Sequence, residues 1–208
     1  GIYNTVILKD VVSRKNISDV SVLESIVKFM FDNIGNITTP KKISDTMTSK
    51  GRKISNHTVE NYLAALVDGF ILYKAGRYDI KGKQYLETQE KYYISDIGLR
   101  YFLLGSKYVD MGHILENVVY LELIRRGYKV YIGKIDSLEV DFVAEKNGEI
   151  EYYQVSQTVM DKITLDRELT PLNIIKNHYP KYLITMDNIP NVSHNGIKQI
   201  YALDWLLA

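Results

Sequence analysis

The sequence has 208 residues, 46% of them hydrophobic and 25% charged, which is enough to bury one large core or two small ones and excludes a disordered or fibrous chain. The 26 Lys and Arg against 25 Asp and Glu leave a formal charge of +1, so the average marks neither a general nucleic-acid binder nor an acidic tail. Cysteine is absent, which removes disulfides, thiolate zinc sites and cysteine nucleophiles. The apolar runs are far shorter than the ~20 residues of a membrane span, and no basic-then-apolar leader opens the chain. We therefore expect a soluble, cytoplasmic protein that does not enter a membrane. Gly1 in place of an initiator Met, followed at once by the patterned run Tyr3 to Val12, is read as a boundary within a longer chain. Tyrosine is frequent, at 17; we attribute this to a genome that also favours Lys, Asn and Ile, with a functional tyrosine surface as the alternative.

The helix signals begin at residue 21. Ser21 is expected to cap the first helix with Glu24 three residues on, and Val22, Ile26, Phe29, Met30 and Ile34 follow at helical spacing up to Gly35. Thr39-Pro40 then supplies a cap and a first-turn proline for a short helix with Ile43 and Met47 that stops at Gly51. Ser55 caps a third segment, in which Val59, Tyr62, Leu63, Leu66 and Val67 share a face that ends at Gly69. Phe70 to Tyr78 and Lys91 to Ser95 read as strands around the turn 79–83. Three helices followed by a hairpin describe a winged helix-turn-helix, and Asp96 to Leu104 adds a short helix.

In that arrangement the helix after Ser55 is the recognition helix, with Asn56, His57, Glu60 and Asn61 on its exposed face. Residues 37–91 hold ten Lys and Arg against six Asp and Glu, about +4, whereas residues 111–208 hold ten against thirteen, about −3. The neutral average therefore conceals a basic first half. Lys41, Lys42, Lys50, Arg52 and Lys53 precede the recognition helix, and Lys74, Arg77, Lys81 and Lys83 lie on the wing, a distribution suited to phosphate contact with double-stranded DNA. The same module can instead dock a protein, and Glu60 on the recognition face argues in that direction.

Residues 112–126 form the clearest helix of the second half, carrying Ile114, Leu115, Val118, Val119, Leu121 and Leu123 and stopping at Gly127. Strands are expected over Lys129 to Ile132, Glu139 to Ala144 and Ile150 to Ser156, with Asn147-Gly148 as a two-residue hairpin turn between the last two. In that register partner numbers sum to 295, which sets Asp141 opposite Gln154, Glu139 opposite Ser156, and Val140 and Phe142 together on the other face opposite Val155 and Tyr153. A helix over Asp161 to His178, with Ile163, Leu165, Leu169, Leu172 and Ile175 on its apolar side, and a strand over Lys181 to Met186 complete the pattern. Helix, three-strand meander, helix and strand is the order of the PD-(D/E)XK restriction-endonuclease-like fold.

Tyr62-Leu63, Arg77-Tyr78-Asp79-Ile80-Lys81-Gly82-Lys83, Lys91-Tyr92-Tyr93, Asp96-Ile97-Gly98-Leu99-Arg100, Leu115-Glu116-Asn117, Glu122-Leu123-Ile124-Arg125-Arg126-Gly127-Tyr128, Glu139-Val140-Asp141-Phe142-Val143 and Tyr153-Gln154-Val155 together resemble the C-terminal region of a prokaryotic AAA+ type ATPase family. The resemblance runs nearly the whole chain, to Asp204-Trp205-Leu206-Leu207. It implies residues 1–20 as the tail of an upstream ATPase lid, 21–110 as a winged helix-turn-helix and 111–208 as a nuclease-like domain of unassigned function, an α+β module followed by an α/β one. ATP would belong to the upstream domain of the same protein, since no G-x-x-x-x-G-K-[ST] run occurs here; Gly76 to Gly82-Lys83 is one residue too long and lies on a wing.

Cleavage by this fold needs carboxylates that hold Mg²⁺ and a basic group that assists the attacking water. Glu116 and Asp141 are the candidate metal ligands, Gln154 offers a neutral carbonyl oxygen, and the usual lysine is replaced by Ser156. Lys162, at the start of the next helix, is the candidate substitute, and His113 lies three residues before Glu116. The expected role is therefore a DNA-binding or partner-docking region with a degenerate nuclease-like domain, its duplex contact confined to the first half. The rivals are an active Mg²⁺-dependent endonuclease using Glu116, Asp141, Gln154 and Lys162, and a protein-interaction module without nucleic acid. The oligomeric state, including a homo-oligomer, stays open.

Overall fold

The structure, a computed structural model, describes residues 11–15, 17, 19–105, 110–190 and 192–208. Residues 1–10, where the lid tail was expected to begin, and 106–109 of the connection between the halves lie outside the described residues. The protein is mixed α/β, and two compact units divide it: Gly1–Lys74 with Gln89–Val109, and Ala75–Thr88 with Asp110–Ala208. The chain passes for the last time from the first to the second unit between Val109 and Asp110, and residues 75–88, read above as a wing, group with the second unit.

The first unit comprises α1 (Val12–Lys15), α2 (Val20–Asp32), β1 (Ile37–Thr38), α3 (Pro40–Ser49), α4 (Asn56–Asp68), the near part of β2 (Leu72–Asp79), the far part of β3 (Gln84–Ile94) and α5 (Ile97–Leu104). Local chemistry sets the helix starts. Thr39 accepts from the Lys42 N–H at 3.2 Å with Pro40 at the first helical position, and Ser55 accepts from the Thr58 N–H at 3.1 Å. At α2 the cap is Asp19, which accepts from the Val22 N–H at 3.0 Å, and not Ser21. Ser21 lies inside the first turn, where its hydroxyl and carbonyl accept from Arg52. The two-residue β1, too short for any periodicity, pairs antiparallel with β3 through Ile37↔Lys91 and Thr38↔Glu90. Leu23, Ile26, Met30 and Phe31 of α2, Ile43 and Met47 of α3, and Val59, Leu63 and Leu66 of α4 close the core over Tyr92 and Ile94.

The second unit contains α6 (Met111–Arg125), β4 (Lys129–Ile135), β5 (Leu138–Lys146), β6 (Glu149–Ser156), α7 (Lys162–Ile174), β7 (Lys181–Thr185), β8 (Val192–His194), β9 (Ile197–Tyr201) and α8 (Ala202–Leu207). The strand order is β2-β4-β5-β6-β7-β9-β8. Pairing is parallel for β2/β4, β6/β7 and β7/β9 and antiparallel for β4/β5, β5/β6 and β8/β9. Neighbouring residues of a strand point to opposite faces: Tyr152 shares a core with Leu169 and Leu172 of α7, while Tyr153 meets Trp205 of α8 and Phe142 meets Tyr120 of α6. Helix α7 therefore covers one face and α6 with α8 the other. Of the apolar positions expected on α7, Ile163 is 84% exposed, while Leu169, Leu172 and Ile175 are buried.

The Asn147-Gly148 turn sets the β5/β6 register as expected, with five pairs from Lys146↔Glu149 to Phe142↔Tyr153. Beyond them the expectation is corrected. The β4/β5 register shifts between Tyr131↔Val143 and Gly133↔Val140, so β5 holds one residue more than β4 there. This β-bulge lies at Asp141 and Phe142 and reverses the alternation. Val140 consequently shares the α7-side core with Val143, while Phe142 points to α6. The bulge also draws β4 and β5 together at Gly133, where a Cβ would lie 2.9 Å from both Val140 Cβ and Val143 Cγ2 and 3.0 Å from Ile80 Cδ1.

On the opposite face Glu122 accepts from both Arg125 and Arg126, at 2.6 Å each. Arg126 lies over the Trp205 ring at 4.3 Å from its centroid and donates to the Trp205 carbonyl, joining α6 to α8. The hydrogen bonds from Arg125, opposed by burial and reinforced by Arg126, hold the Glu122 carboxyl at about 2, well below its ordinary 4.5.

Two predictions follow from this packing. Gly133→Ala should destabilise the protein by about 1–3 kcal/mol in urea denaturation, because backbone and β-branched neighbours must move; an unchanged midpoint would contradict the close approach. A depressed folded-state pKa contributes stability that is complete above the unfolded value and is lost as pH falls through the folded one. Glu122→Gln should therefore flatten the loss of stability between pH 4.5 and about 2, read as thermal midpoints across that window. A wild-type slope in the variant would show that Glu122 does not contribute.

Candidate functional site

The bulge in β5 assembles a buried polar cluster. Past Phe142↔Tyr153 the β5/β6 ladder gives way to side chains: the Val155 N–H donates to Asp141 Oδ2 at 2.8 Å, and the Asp141 N–H donates to Gln154 Oε1 at 3.4 Å. Gln154 Nε2 in turn donates to Glu168 Oε2 at 2.9 Å. Glu168 Oε1 accepts from Arg167 at 2.8 Å, whose guanidinium reaches out to solvent. Asp141, Gln154 and Glu168 retain only 9%, 7% and 9% of their exposure. Each buried polar group is thus matched to a donor or acceptor, as low-dielectric surroundings require.

Glu116 is also buried, on the face of the unit where α6 packs against β4, β5 and β6. Lys162 is exposed at the first position of α7, six residues before Glu168, which is about 9 Å of helical rise; the cation beside the cluster is Arg167. Ser156 pairs with Thr185 of β7 and its hydroxyl donates to the Thr158 carbonyl, and the β5/β6 register ends at Phe142↔Tyr153, short of the expected Glu139 pairing. His113 is taken up by Asp110, the cap of α6, at 2.7 Å.

Mg²⁺ takes converging oxygens in near-octahedral array. Here one Asp141 oxygen faces an amide N–H, and the Gln154 carboxamide bridges an amide N–H and a carboxylate. Among the described residues no three His, Asp or Glu side chains come together as a metal-holding group. Asp141 Oδ2 and both ends of the Gln154 carboxamide are thus already engaged within the protein. Glu168 and Arg167 were missed from the sequence, although a signal existed: Glu168 lies within the apolar stripe Leu165, Leu169, Leu172, where an acid needs a buried partner.

The residues expected at nucleic acid divide between the units. Lys41 and Lys42 are exposed in the first turn of α3, and Lys50 and Lys53 are exposed in the turn between α3 and α4. His57 is 82% exposed and lies 3.3 Å from Asn61 on the next turn and 3.9 Å from Glu60. Asn56 and Arg52 have internal work instead: Asn56 Oδ1 accepts from Ser44 at 2.6 Å, and Arg52 donates to Ser21 and Ser25. Lys81 and Lys83 belong to the second unit. Lys83 is exposed, whereas Lys81 donates to both carboxylate oxygens of Asp136 at 2.6 Å.

Residues 1–110 match a family described as a domain of unknown function, DUF8612. The chain belongs to that family. It is 43% identical over 207 residues to an uncharacterized protein of Haemophilus influenzae, covering all of this chain and 51% of that protein. It is 31% identical over 147 residues to the uncharacterized protein MJ1544 of Methanocaldococcus jannaschii, covering 69% of this chain and 30% of that protein. The chain thus spans about half, or less, of the length of these relatives. Protein VC1899 from Vibrio cholerae aligns with 90% of this chain and 54% of its own at 12% identity, with a TM-score of 0.30, too low to bear on fold or function. No described helix is long and apolar enough to cross a membrane.

If the cluster holds β5 and β6 together, removing its acceptor leaves a buried N–H unmatched at a cost of about 1–3 kcal/mol. Asp141→Ala should therefore destabilise by that amount in urea. A gain in stability, the usual result of deleting a carboxylate strained for catalysis, would overturn the structural role.

Proposed function

We propose that this chain is a DNA-binding C-terminal region of an AAA+ type ATPase, in which the first unit acts as a winged helix-turn-helix and the second is a restriction-endonuclease-like domain without cutting activity. The observation that carries the DNA reading is the set of exposed lysines at two helix starts, Lys41 and Lys42 in the first turn of α3 and Lys50 and Lys53 in the turn that leads into α4, whose first turns expose His57 and Asn61. A helix N-terminus with cations beside it suits phosphate contact. The order α2, β1, α3, α4 and hairpin, with β1 paired to β3, supports the winged-helix reading. The ATPase partner rests on the sequence resemblance alone. The absence of cutting is supported by Asp141, Gln154 and Glu168, whose polar atoms serve one another and the β6 backbone.

Binding to a labelled duplex across a salt series tests the proposal. Each lysine that releases a counterion contributes about 0.9 to the log–log slope, so Lys41→Ala with Lys42→Ala should flatten the slope by about twice that amount. Lys81→Ala should leave it unchanged, because Lys81 is paired with Asp136. A flat response in the wild type would instead favour a protein-docking module. Plasmid DNA incubated with the protein and Mg²⁺ or Mn²⁺ should stay intact, and nicking that vanishes in Asp141→Ala would restore the nuclease reading.

A further inference from the structure

Three tyrosines of the second unit, one each from β2, β3 and β4, gather on the sheet with no role in the reading above. The Tyr85 ring lies 5.4 Å from that of Tyr78 and 4.9 Å from that of Tyr131, and Tyr78 and Tyr131 are 6.3 Å apart. Tyr85 is 58% exposed, an expensive position for a large ring with nothing to cover it. The three rings wall a cavity of about 150 Å³ that is completed by Val143, Glu145, Gly148 and Ile150. Tyr85 donates its hydroxyl to Glu145 Oε2 at 3.1 Å. Its phenol is pushed up to about 12 by the hydrogen bond with Tyr131, by burial and by Glu145, so at neutral pH it remains a neutral donor, and Glu145 supplies the carboxylate of the wall.

The wall therefore offers electron-rich ring faces, an aliphatic floor and one carboxylate, with no cation among its lining residues. The neighbouring Lys146 is turned away, donating to the Arg126 carbonyl and lying over the Tyr128 ring. Lys129, the cross-strand partner of Glu145, does not line the cavity. Such a wall opposes phosphate and favours a cation, which gains from the ring quadrupoles and from the carboxylate together. A guanidinium suits it best, because its plane can lie against a tyrosine ring while its fork meets a carboxylate that has spare acceptor sites. The excess of acids in residues 111–208, thirteen against ten bases, adds a field of the matching sign.

We infer that the Tyr78, Tyr85, Tyr131 and Glu145 pocket is a recognition site for an arginine side chain of a partner protein. It is independent of the DNA-binding proposal, since it uses none of the lysines that proposal rests on.

The test uses the full chain with ¹³C-labelled tyrosine rings, with Tyr85→Ala to assign the ring signals of the pocket. The probes are N-acetyl-arginine amide and its neutral isostere N-acetyl-citrulline amide. Arginine should shift the Tyr85 and Tyr131 signals with a half-saturation about 5-fold lower than citrulline, the factor expected of one partly exposed cation–π contact. Glu145→Gln should reduce that preference, leaving only the part the ring faces supply, without altering the other tyrosine signals, which also report that the variant is folded; an unchanged preference would remove Glu145 from the site and overturn the inference as stated. Equal responses to the two probes would overturn the inference, and the wild-type comparison stands without any variant. A larger response to a thymidine trinucleotide than to arginine would overturn it in favour of a base-stacking surface.

Discussion

One extra residue in β5 organises the second unit. Because Tyr131 pairs with Val143 while Gly133 pairs with Val140, two residues of β5 must share the space opposite Ile132, and the side chains on either side of that point exchange faces. Val140 joins the core under α7, Phe142 turns to Tyr120 of α6, and Gly133 has no room for a side chain between Val140, Val143 and Ile80. The same irregularity ends the ladder with β6, so the Val155 N–H needs another acceptor. Asp141 is that acceptor, and β6 continues as the parallel partner of β7.

The polar groups of the second unit follow from this geometry. An aspartate committed to a backbone N–H leaves the Gln154 carboxamide to bridge Asp141 and Glu168, and Glu168 is held in turn by Arg167. A second buried acid, Glu122, is met by two arginines on the other face. In both places an acid is tolerated inside because donors reach it. The first unit keeps Lys41, Lys42, Lys50 and Lys53 in solvent and buries Arg100, which donates to the Phe31 carbonyl. The whole-chain charge of +1 is the sum of these unlike arrangements. The strands β2 and β3 run from one unit into the other, and their far ends bring Lys81 to Asp136 and Tyr85 to Glu145. Residues that read as a free wing along the chain are thereby engaged within the second unit.

Much of the architecture was legible in the sequence, because helix caps, apolar stripes and a two-residue turn act over a few residues. Thr39-Pro40, Ser55 and Asn147-Gly148 each did what their local chemistry requires. Legibility failed where a contact partner is distant in sequence. The strand β1 exists because β3, more than fifty residues on, offers a ladder, and Ser21 lost the cap to Asp19 and serves Arg52 instead. Of the polar cluster, Asp141 and Gln154 could be placed side by side from the turn alone. Glu168 could not, since only the packing of α7 on β5 and β6 brings it there.

By itself, then, the sequence determined the order of the main elements from α2 to β7, the split of charge between the halves and the first five pairs of the β5–β6 hairpin, all of which depend on spacings within one segment. Tertiary structure alone decided which polar side chains are occupied. Lys81, Arg52 and Asn56 look like ligands for an external partner until Asp136, Ser21, Ser25 and Ser44 are found beside them. Whether a side chain is available is a property of its three-dimensional neighbours, and a bulge of one residue is enough to change which neighbours those are.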